Sequence, residues 1–256
     1  MQILVAANQK GGVGKTTVTA NLAAALAEQG QRVLAVDLDP QANLTESFAA
    51  EEWEGARLEA LLAGTGWVDI GAATVRVAGD VDLWPCSDRL ADLTFELAAR
   101  DGGERRLGEL LGQVRDRYDY VLIDSPPGIG FWSGLALVTA DWVLIPIEPA
   151  DLDVMSAAKA AQFIEREVRA VNPDVRVLGV LVNQAQRHLR LWRATHARLE
   201  ADGLRALPVE IPRSVRVAEA VRSGAPLMVL RPDDRAAAAF RRLASLVVAE
   251  TTPVAS

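Results

Sequence analysis

Short apolar runs recur along this chain at Ile3–Ala7, Val33–Asp37, Tyr120–Asp124, Trp142–Ile147 and Val175–Val182, each closed by polar or turn-forming residues. Their length and closure predict buried strands. Alanine and leucine at helical spacing predict a helix over Thr16–Glu28, closed by Gly30, and further helices at Leu107–Arg117, Ser156–Val171, Leu189–Ala201 and Arg235–Ala249. This alternation predicts a single α/β domain, a mostly parallel twisted sheet with helices on both faces. Two strands end in aspartate, and both are expected to point their C-termini at the glycine turn after the first run. Ala49–Gly79, with Trp53 and Trp67 and no clean period, is expected as short helices and loops over one sheet edge. The expected domain is 1–250, with Thr251–Ser256 a frayed tail.

Half of the 256 residues are hydrophobic, ample for a buried core. A net charge of −7 excludes a globally basic nucleic-acid binder and leaves room for a local basic face. Cys86 stands alone, so one chain can build neither a disulfide nor a cysteine metal site, and a reducing cytosol is expected. With no signal-like N-terminus and no long uncharged apolar run, an unprocessed protein without a membrane span is expected.

Charge becomes informative in one loop. Of the 27 Lys and Arg residues only three are lysines, Lys10, Lys15 and Lys159, and two of them flank the turn Lys10-Gly11-Gly12-Val13-Gly14-Lys15-Thr16-Thr17. Backbone N–H groups of a glycine turn leading into a helix form a positively polarised nest for phosphates. Gly11, Gly12, Val13, Gly14, Lys15, Thr16 and Thr17 are the expected nucleotide-binding residues, with Lys15 neutralising the terminal phosphates and the Thr16 hydroxyl ligating Mg²⁺. Gln9 occupies the position of the first glycine of G-x-x-x-x-G-K-[ST], so that pattern fails as written. Val121-Leu122-Ile123-Asp124 reads as a Walker B strand whose terminal carboxylate, Asp124, is the second expected metal residue.

With its early lysine, the loop resembles the deviant Walker A motif of P-loop NTPases, and the chain resembles the ParA-type DNA-partition ATPases of the ParA/MinD superfamily. That resemblance implies that Lys10 reaches across a dimer to the partner's nucleotide, joining Lys15 and Asp39 as catalytic residues. Asp39, in Asp37-Leu38-Asp39-Pro40-Gln41, would position the attacking water. Gln41 and Asn43 also match, while Ala42 stands where the family usually has glycine. Ser125-Pro126-Pro127-Gly128 resembles the switch segment, and Asn183 falls where the family places a side chain beside the adenine.

Between Arg187 and Arg222 lie eight arginines (187, 190, 193, 198, 205, 213, 216 and 222) against four acids (Glu200, Asp202, Glu210 and Glu219). The segment Ile211–Ala220 resembles the one carrying nonspecific DNA-binding arginines, which implies Arg216 first, then Arg213 and Arg190, as contacts to DNA phosphates. The resemblance implies a cytoplasmic, nucleoid-associated ATPase that uses ATP and Mg²⁺ to form a homodimer. That dimer binds double-stranded DNA nonspecifically, and a ParB-like adaptor stimulates its slow hydrolysis to drive chromosome or plasmid segregation. Alternatives are a ParA-like positioning ATPase for a protein cargo and a MinD-like membrane-associated ATPase. The membrane reading is disfavoured because the last helix has its apolar residues at core spacing and nothing basic and amphipathic follows. A biosynthetic ligase remains possible on fold alone. No helix-turn-helix region precedes the loop, so operator repression is not expected.

Overall fold

The computed structural model describes residues 1–50, 52–64 and 69–252. Its strands are β1 (Gln2–Ala6), β2 (Val33–Asp37), β3 (Val75–Val77), β4 (Val81–Trp84), β5 (Tyr120–Asp124), β6 (Trp142–Ile147) and β7 (Arg176–Val182). The helices that matter first are α1 (Lys15–Glu28), α2 (Asn43–Ser47), α3 (Leu58–Ala63), α4 (Leu93–Ala99), α5 (Arg106–Gly112) and α6 (Phe131–Thr139). They are followed by α7 (Asp151–Phe163), α8 (Arg169–Val171), α9 (Arg190–Ala201), α10 (Val215–Arg222), α11 (Leu227–Leu230) and α12 (Arg235–Thr251).

One sheet runs in the order β3-β4-β2-β5-β1-β6-β7. Every pairing is parallel except β3 with β4, which is antiparallel at the edge. Alternate residues of each strand feed opposite cores, as the period of two requires. Val5, Leu34, Val36, Val121 and Ile123 pack on the face that also holds Leu58, Leu62, Leu107, Leu110 and Val154. Leu4, Val33, Ala35, Tyr120 and Leu122 pack on the face of Leu22, Leu26, Phe240, Leu243 and Val247. Both faces are covered, so the central strands read as continuous apolar runs rather than alternating ones.

The register decides where chemistry sits. Ala6 pairs with Asp124, and Asp124 with Asp37, so β1, β5 and β2 end in one row. The glycine loop and both aspartate-ended strands therefore emerge side by side, as expected, at the edge where open parallel sheets carry ligands.

Several boundaries differ from expectation. The first strand begins and ends one residue earlier, and its helix starts at Lys15. The helix expected over Leu107–Arg117 stops at Gly112, beyond which the chain runs in turns. The helix expected from Ser156 starts at Asp151 and carries a π-helical turn at Ile164–Val168 before α8. Part of Ala49–Gly79 is the sheet edge itself, because β3 pairs with β4; Trp67 lies outside the described residues. Thr251 is no frayed tail: it ends α12, is buried, and its hydroxyl meets that of Tyr120 at 2.8 Å. Pro253–Ser256 lie outside the described residues.

Beyond β7 the sheet is extended by isolated bridges, Val180 to Ala206 and Ala185 to Pro212, which fix the segment leading to Arg213. Gly179, at φ +149°, makes the first of these possible. A Cβ there would stand 2.6 Å from Leu207 Cδ2 and 3.0 Å from the Arg205 carbonyl. Gly179→Ala is expected to cost about 2 kcal/mol or more through this collision and the strained φ, read as a lower denaturant midpoint at unchanged slope.

Candidate functional site

The loop between β1 and α1 turns on two glycines with left-handed backbone, Gly12 at φ +79° and Gly14 at φ +88°. A side chain at Gly14 would collide with the Asn183 amide, whose Nδ2 donates to the Val13 carbonyl at 2.9 Å. Asn183, at the end of β7, thus pins the loop from outside. From the segment Ser125–Gly128, Gly128 N donates to the Gln9 carbonyl at 3.0 Å, and Ser125 Oγ donates to the Ala6 carbonyl at 3.2 Å.

A cavity of about 400 Å³ opens on this loop, lined by Gly11, Gly12, Gly14, Lys15, Thr16 and Thr17. Its other walls are Asp39 and Gln41, Asn43, Glu46 and Ser47 at α2, Pro127 of the Ser125–Gly128 turn, and Val221 of α10; Val13, Asp124 and Asn183 do not line it. Lys15 is buried, and Nζ donates to the Asn8 and Lys10 carbonyls, both at 3.3 Å. Burial lowers its pKa, an effect opposed by the charges of Asp124 and Asp39. Thr16 Oγ1 donates to Asp124 Oδ2 at 2.6 Å, while Asp124 Oδ1 is buried without a partner.

Three carboxylates crowd this strand end. Burial raises the Asp124 carboxyl well above the usual carboxylate range, and the charge of Asp37 adds to it. Asp37 is pushed up to about 6, chiefly by burial, against hydrogen bonds from the Thr45 hydroxyl and amide and the Asp39 amide. A hydroxyl and an under-coordinated carboxylate beside a lysine fit a hard divalent cation such as Mg²⁺, which takes oxygen ligands and leaves most of its shell to phosphate and water. Among the described residues no group of three or more His, Cys, Asp or Glu could hold a metal without such help.

The loop's two lysines part ways. Lys10 is absent from the lining of the cavity; its ammonium is paired with Asp153 of α7, and its backbone N–H donates to Asn8 Oδ1 at 3.1 Å. Asp39 takes part in the cavity, with its Oδ1 accepting from Gln41 N at 3.0 Å. Ala42 stands in left-handed backbone at φ +54°, a conformation that explains why the resembled motif favours glycine there.

Some distance along α10 lies a second, larger cavity of about 790 Å³, lined by Arg187, Arg213, Arg216, Arg235, Arg242 and His188, with Glu210 the carboxylate among them. Arg216 keeps a 3.6 Å pairing with Asp234, the N-cap of α12. Glu210 accepts from Arg187 Nε at 2.7 Å and Trp192 Nε1 at 2.7 Å and pairs with His196 Nε2 at 2.6 Å, binding α9 to this wall. Arg190, the first residue of α9, is exposed but does not line the cavity.

Residues 1–177 match the family model of the AAA domain. The chromosome-partitioning ATPase Soj of Thermus thermophilus is 39% identical over 246 residues, covering 95% of this chain and 94% of that protein. The chromosome partitioning protein ParA of Caulobacter vibrioides is 31% identical over 252 residues, covering 97% and 94%. The chain belongs to the ParA/MinD superfamily of P-loop ATPases. Among solved structures, a Mycobacterium smegmatis cobyrinic acid a,c-diamide synthase with ADP and magnesium superposes with TM-score 0.84 at 30% identity over 100% of this chain and 99% of that one. The Pyrococcus furiosus cell division ATPase MinD gives 0.82 at 26% identity over 98% and 99%. ATP and Mg²⁺ are accordingly the cofactors of this ParA/MinD chain.

Sequence reasoning did not single out Glu46, Ser47 and Val221 as walls of the nucleotide cavity, nor Asp153 as the partner of Lys10. None of them stands in a recognisable motif. Arg235 and Arg242 were likewise hidden in a helix read as core-facing, although their spacing of seven puts both on one face.

Asp37 yields a pH test. Its folded-state pKa of about 6 exceeds the model-peptide 3.8, so the folded state holds a proton that the unfolded state releases, and stability falls as pH rises between these values. Asp37→Asn lacks this loss. In metal-free buffer, the unfolding free energy of the native chain relative to Asp37→Asn is expected to drop by about 2 kcal/mol between pH 4 and pH 7 in denaturant titrations.

Proposed function

We propose that this chain is an ATP-dependent dimerising ATPase that holds DNA nonspecifically and moves a chromosome or plasmid with a ParB-like centromere-binding adaptor, working on the nucleoid. The observation that carries the reading is that Lys10 belongs to the phosphate loop yet lies outside the cavity that loop builds. Its contact with the nucleotide of a second subunit is what the likeness to ParA-type ATPases implies, and an ammonium paired with Asp153 outside the cavity is compatible with it.

Within one subunit, the loop amides from Gly11 to Thr17 and the Lys15 ammonium would receive the phosphates and Thr16 and Asp124 would hold Mg²⁺, while Asn183, which is bonded to Val13 and lies outside the cavity lining, would border the base beyond it. Bound Mg²⁺ neutralises charge on the phosphate oxygens. Asp39 orients the attacking water, and Lys10 of each subunit contacts the nucleotide of the other. Because only the dimer makes that contact, ATP favours the dimer over the monomer.

The basic cavity supports the DNA reading. Guanidiniums of Arg213 and Arg216 line one wall, and α10 joins this cavity to the other, with Arg216 lining the basic one and Val221 lining the nucleotide cavity. Arginines in such a wall bind phosphodiesters without reading sequence, and a dimer presents two walls. A MinD-like membrane reading is weakened by α12, which spends Phe240, Leu243 and Val247 on the core. Among the described residues no helix is long and apolar enough to cross a membrane.

A second reading, an amide-forming biosynthetic ligase, is favoured by the likeness to the M. smegmatis cobyrinic acid a,c-diamide synthase, TM-score 0.84 over 100% of this chain. Under it, ATP turnover is indifferent to DNA and rises with a carboxylate substrate.

Sedimentation with ADP, ATP or a slowly hydrolysed analogue, with and without duplex DNA at two salt concentrations, tests the switch. Lys10→Ala is expected to bind ATP and stay monomeric, and Asp39→Ala to dimerise and remain on DNA with little turnover. Arg216→Ala is expected to weaken DNA binding about equally for all sequences at intact nucleotide affinity. Monomeric Asp39→Ala at saturating ATP, or loss of ATP binding in Arg216→Ala, would sink the corresponding assignment.

A further inference from the structure

Arg187, Arg213, Arg216, Arg235 and Arg242 converge on the cavity of about 790 Å³ from three parts of the chain: the segment after β7, the start of α10, and α12. Arg187, Arg235 and Arg242 carry no part of the DNA assignment. The carboxylate in the lining, Glu210, is 9% exposed and already meets Arg187, Trp192 and His196, so it offsets little of the remaining charge. Among the described residues no hydrogen bond or ion pair engages the guanidiniums of Arg213 and Arg242. Arg235 donates to the Arg213 carbonyl at 2.7 Å, a neutral acceptor that leaves its charge uncompensated, and Arg216 keeps only the 3.6 Å pairing with Asp234. The N-terminus of α12 adds nothing to this field, because Asp234 caps it, its Oδ1 accepting from Ala236 N at 2.8 Å.

The shape matters as much as the charge. Arg235 and Arg242 stand two turns apart on α12, about 10 Å. Between the guanidiniums lies an apolar floor of Ala185, Pro212 and Val215. A hollow of this size, with apolar walls and a few convergent polar groups, has the form of a small-ligand site. A stiff duplex crosses the rim of such a hollow, whereas a compact anion enters it and meets guanidiniums on several sides, each able to hold two phosphate oxygens. We infer that this basin is a second anion site, distinct from the phosphate loop, that takes a soluble polyphosphate, inorganic or carried on a nucleotide, and that its occupancy excludes DNA. The exclusion rests on the reading of Arg213 and Arg216 as DNA contacts, since both line the basin; the site itself does not. Its consequence is regulatory: a polyphosphate in the basin releases the protein from DNA without any change at the nucleotide cavity.

Calorimetric titration of ADP-loaded protein with inorganic tripolyphosphate is expected to show one site per subunit. Arg242→Ala, which removes a guanidinium without a partner, is expected to weaken it at least about tenfold. Arg193→Ala, an exposed arginine of α9 outside the basin, is expected to change it less than about twofold. No binding, or equal losses in the two variants, which report diffuse charge alone, overturns the site. GTP in place of tripolyphosphate separates the two sources. An Arg242-dependent gain of at least about tenfold assigns a nucleotide with its base on the apolar floor, and equal affinity assigns an inorganic polyphosphate. With a slowly hydrolysed ATP analogue, saturating tripolyphosphate is expected to raise the DNA concentration for half-maximal binding at least about tenfold beyond a chloride control of matched ionic strength. An unmoved DNA titration beside an intact tripolyphosphate site overturns the exclusion. A chain that holds DNA and no tripolyphosphate overturns this inference alone, and one that holds tripolyphosphate and no DNA overturns the DNA reading and the exclusion while the site stands.

Discussion

Three carboxylates, Asp37, Asp39 and Asp124, are forced together at the ends of two adjacent buried strands, with one ammonium, Lys15, set among them. The strand register imposes this, since Asp37 and Asp124 are direct neighbours across the β2–β5 ladder. Burial and mutual repulsion then raise the proton affinity of both. Such a cluster is a standing demand for positive charge. Lys15 meets part of it, and a divalent cation arriving with a polyphosphate meets the rest while having its own charge satisfied by the phosphates. The fold's other features serve to hold this strand end: α1 and α12 cover one face of the sheet, the layer around Leu107 and Val154 covers the other, and Thr45 of α2 hydrogen-bonds Asp37 from the side.

Thr45 also links the carboxylates to the loop that carries Asp39. Its hydroxyl donates to Asp37 Oδ2 and accepts from the Cys86 amide at 3.1 Å, and Cys86 Sγ lies 3.1 Å from the Asp39 carbonyl. The lone cysteine is therefore a packing residue behind the Asp39 turn, its thiol pushed far up by burial and by neighbouring carboxylates. Ala42 in left-handed backbone closes the same turn and places Asn43, Glu46 and Ser47 on the nucleotide cavity.

What could be read from the residues follows from how local each signal was. The bounds of β2, β5 and β6 coincide with their apolar runs because each is buried on both faces and closed by charged or polar residues. The β3–β4 edge was missed because Val75-Arg76-Val77 is too short and too polar to stand out from turns. Helix α6 escaped because Gly134 interrupts an almost wholly apolar stretch, and α7 began early because Asp151-Leu152-Asp153 reads as a polar loop until α7 is seen packed against the sheet. The phosphate loop, Asp39 and Asp124 were legible as motifs. The pairing of Lys10 with Asp153 was not, since 143 residues separate them and no pattern in either segment names the other.

In the protein by itself, the polar groups of the loop are held by its own chain. Lys15 leans on two carbonyls at 3.3 Å, Thr16 on Asp124, Lys10 on Asp153, and Val13 on Asn183. These holders differ in strength, and the difference orders what a nucleotide can displace. Two long contacts from an ammonium to neutral carbonyls are weaker than charge-assisted bonds to phosphate, so Lys15 is released at little cost. The Asn183 amide bond to Val13 is neutral and of ordinary length, and it shapes the loop without competing for phosphate. The Lys10–Asp153 pair joins opposite charges with one member buried, which makes it the firmest of these holds. A nucleotide entering the cavity therefore meets an inner lysine held by two long carbonyl contacts and the charges of Asp124 and Asp39, and an outer lysine paired with Asp153.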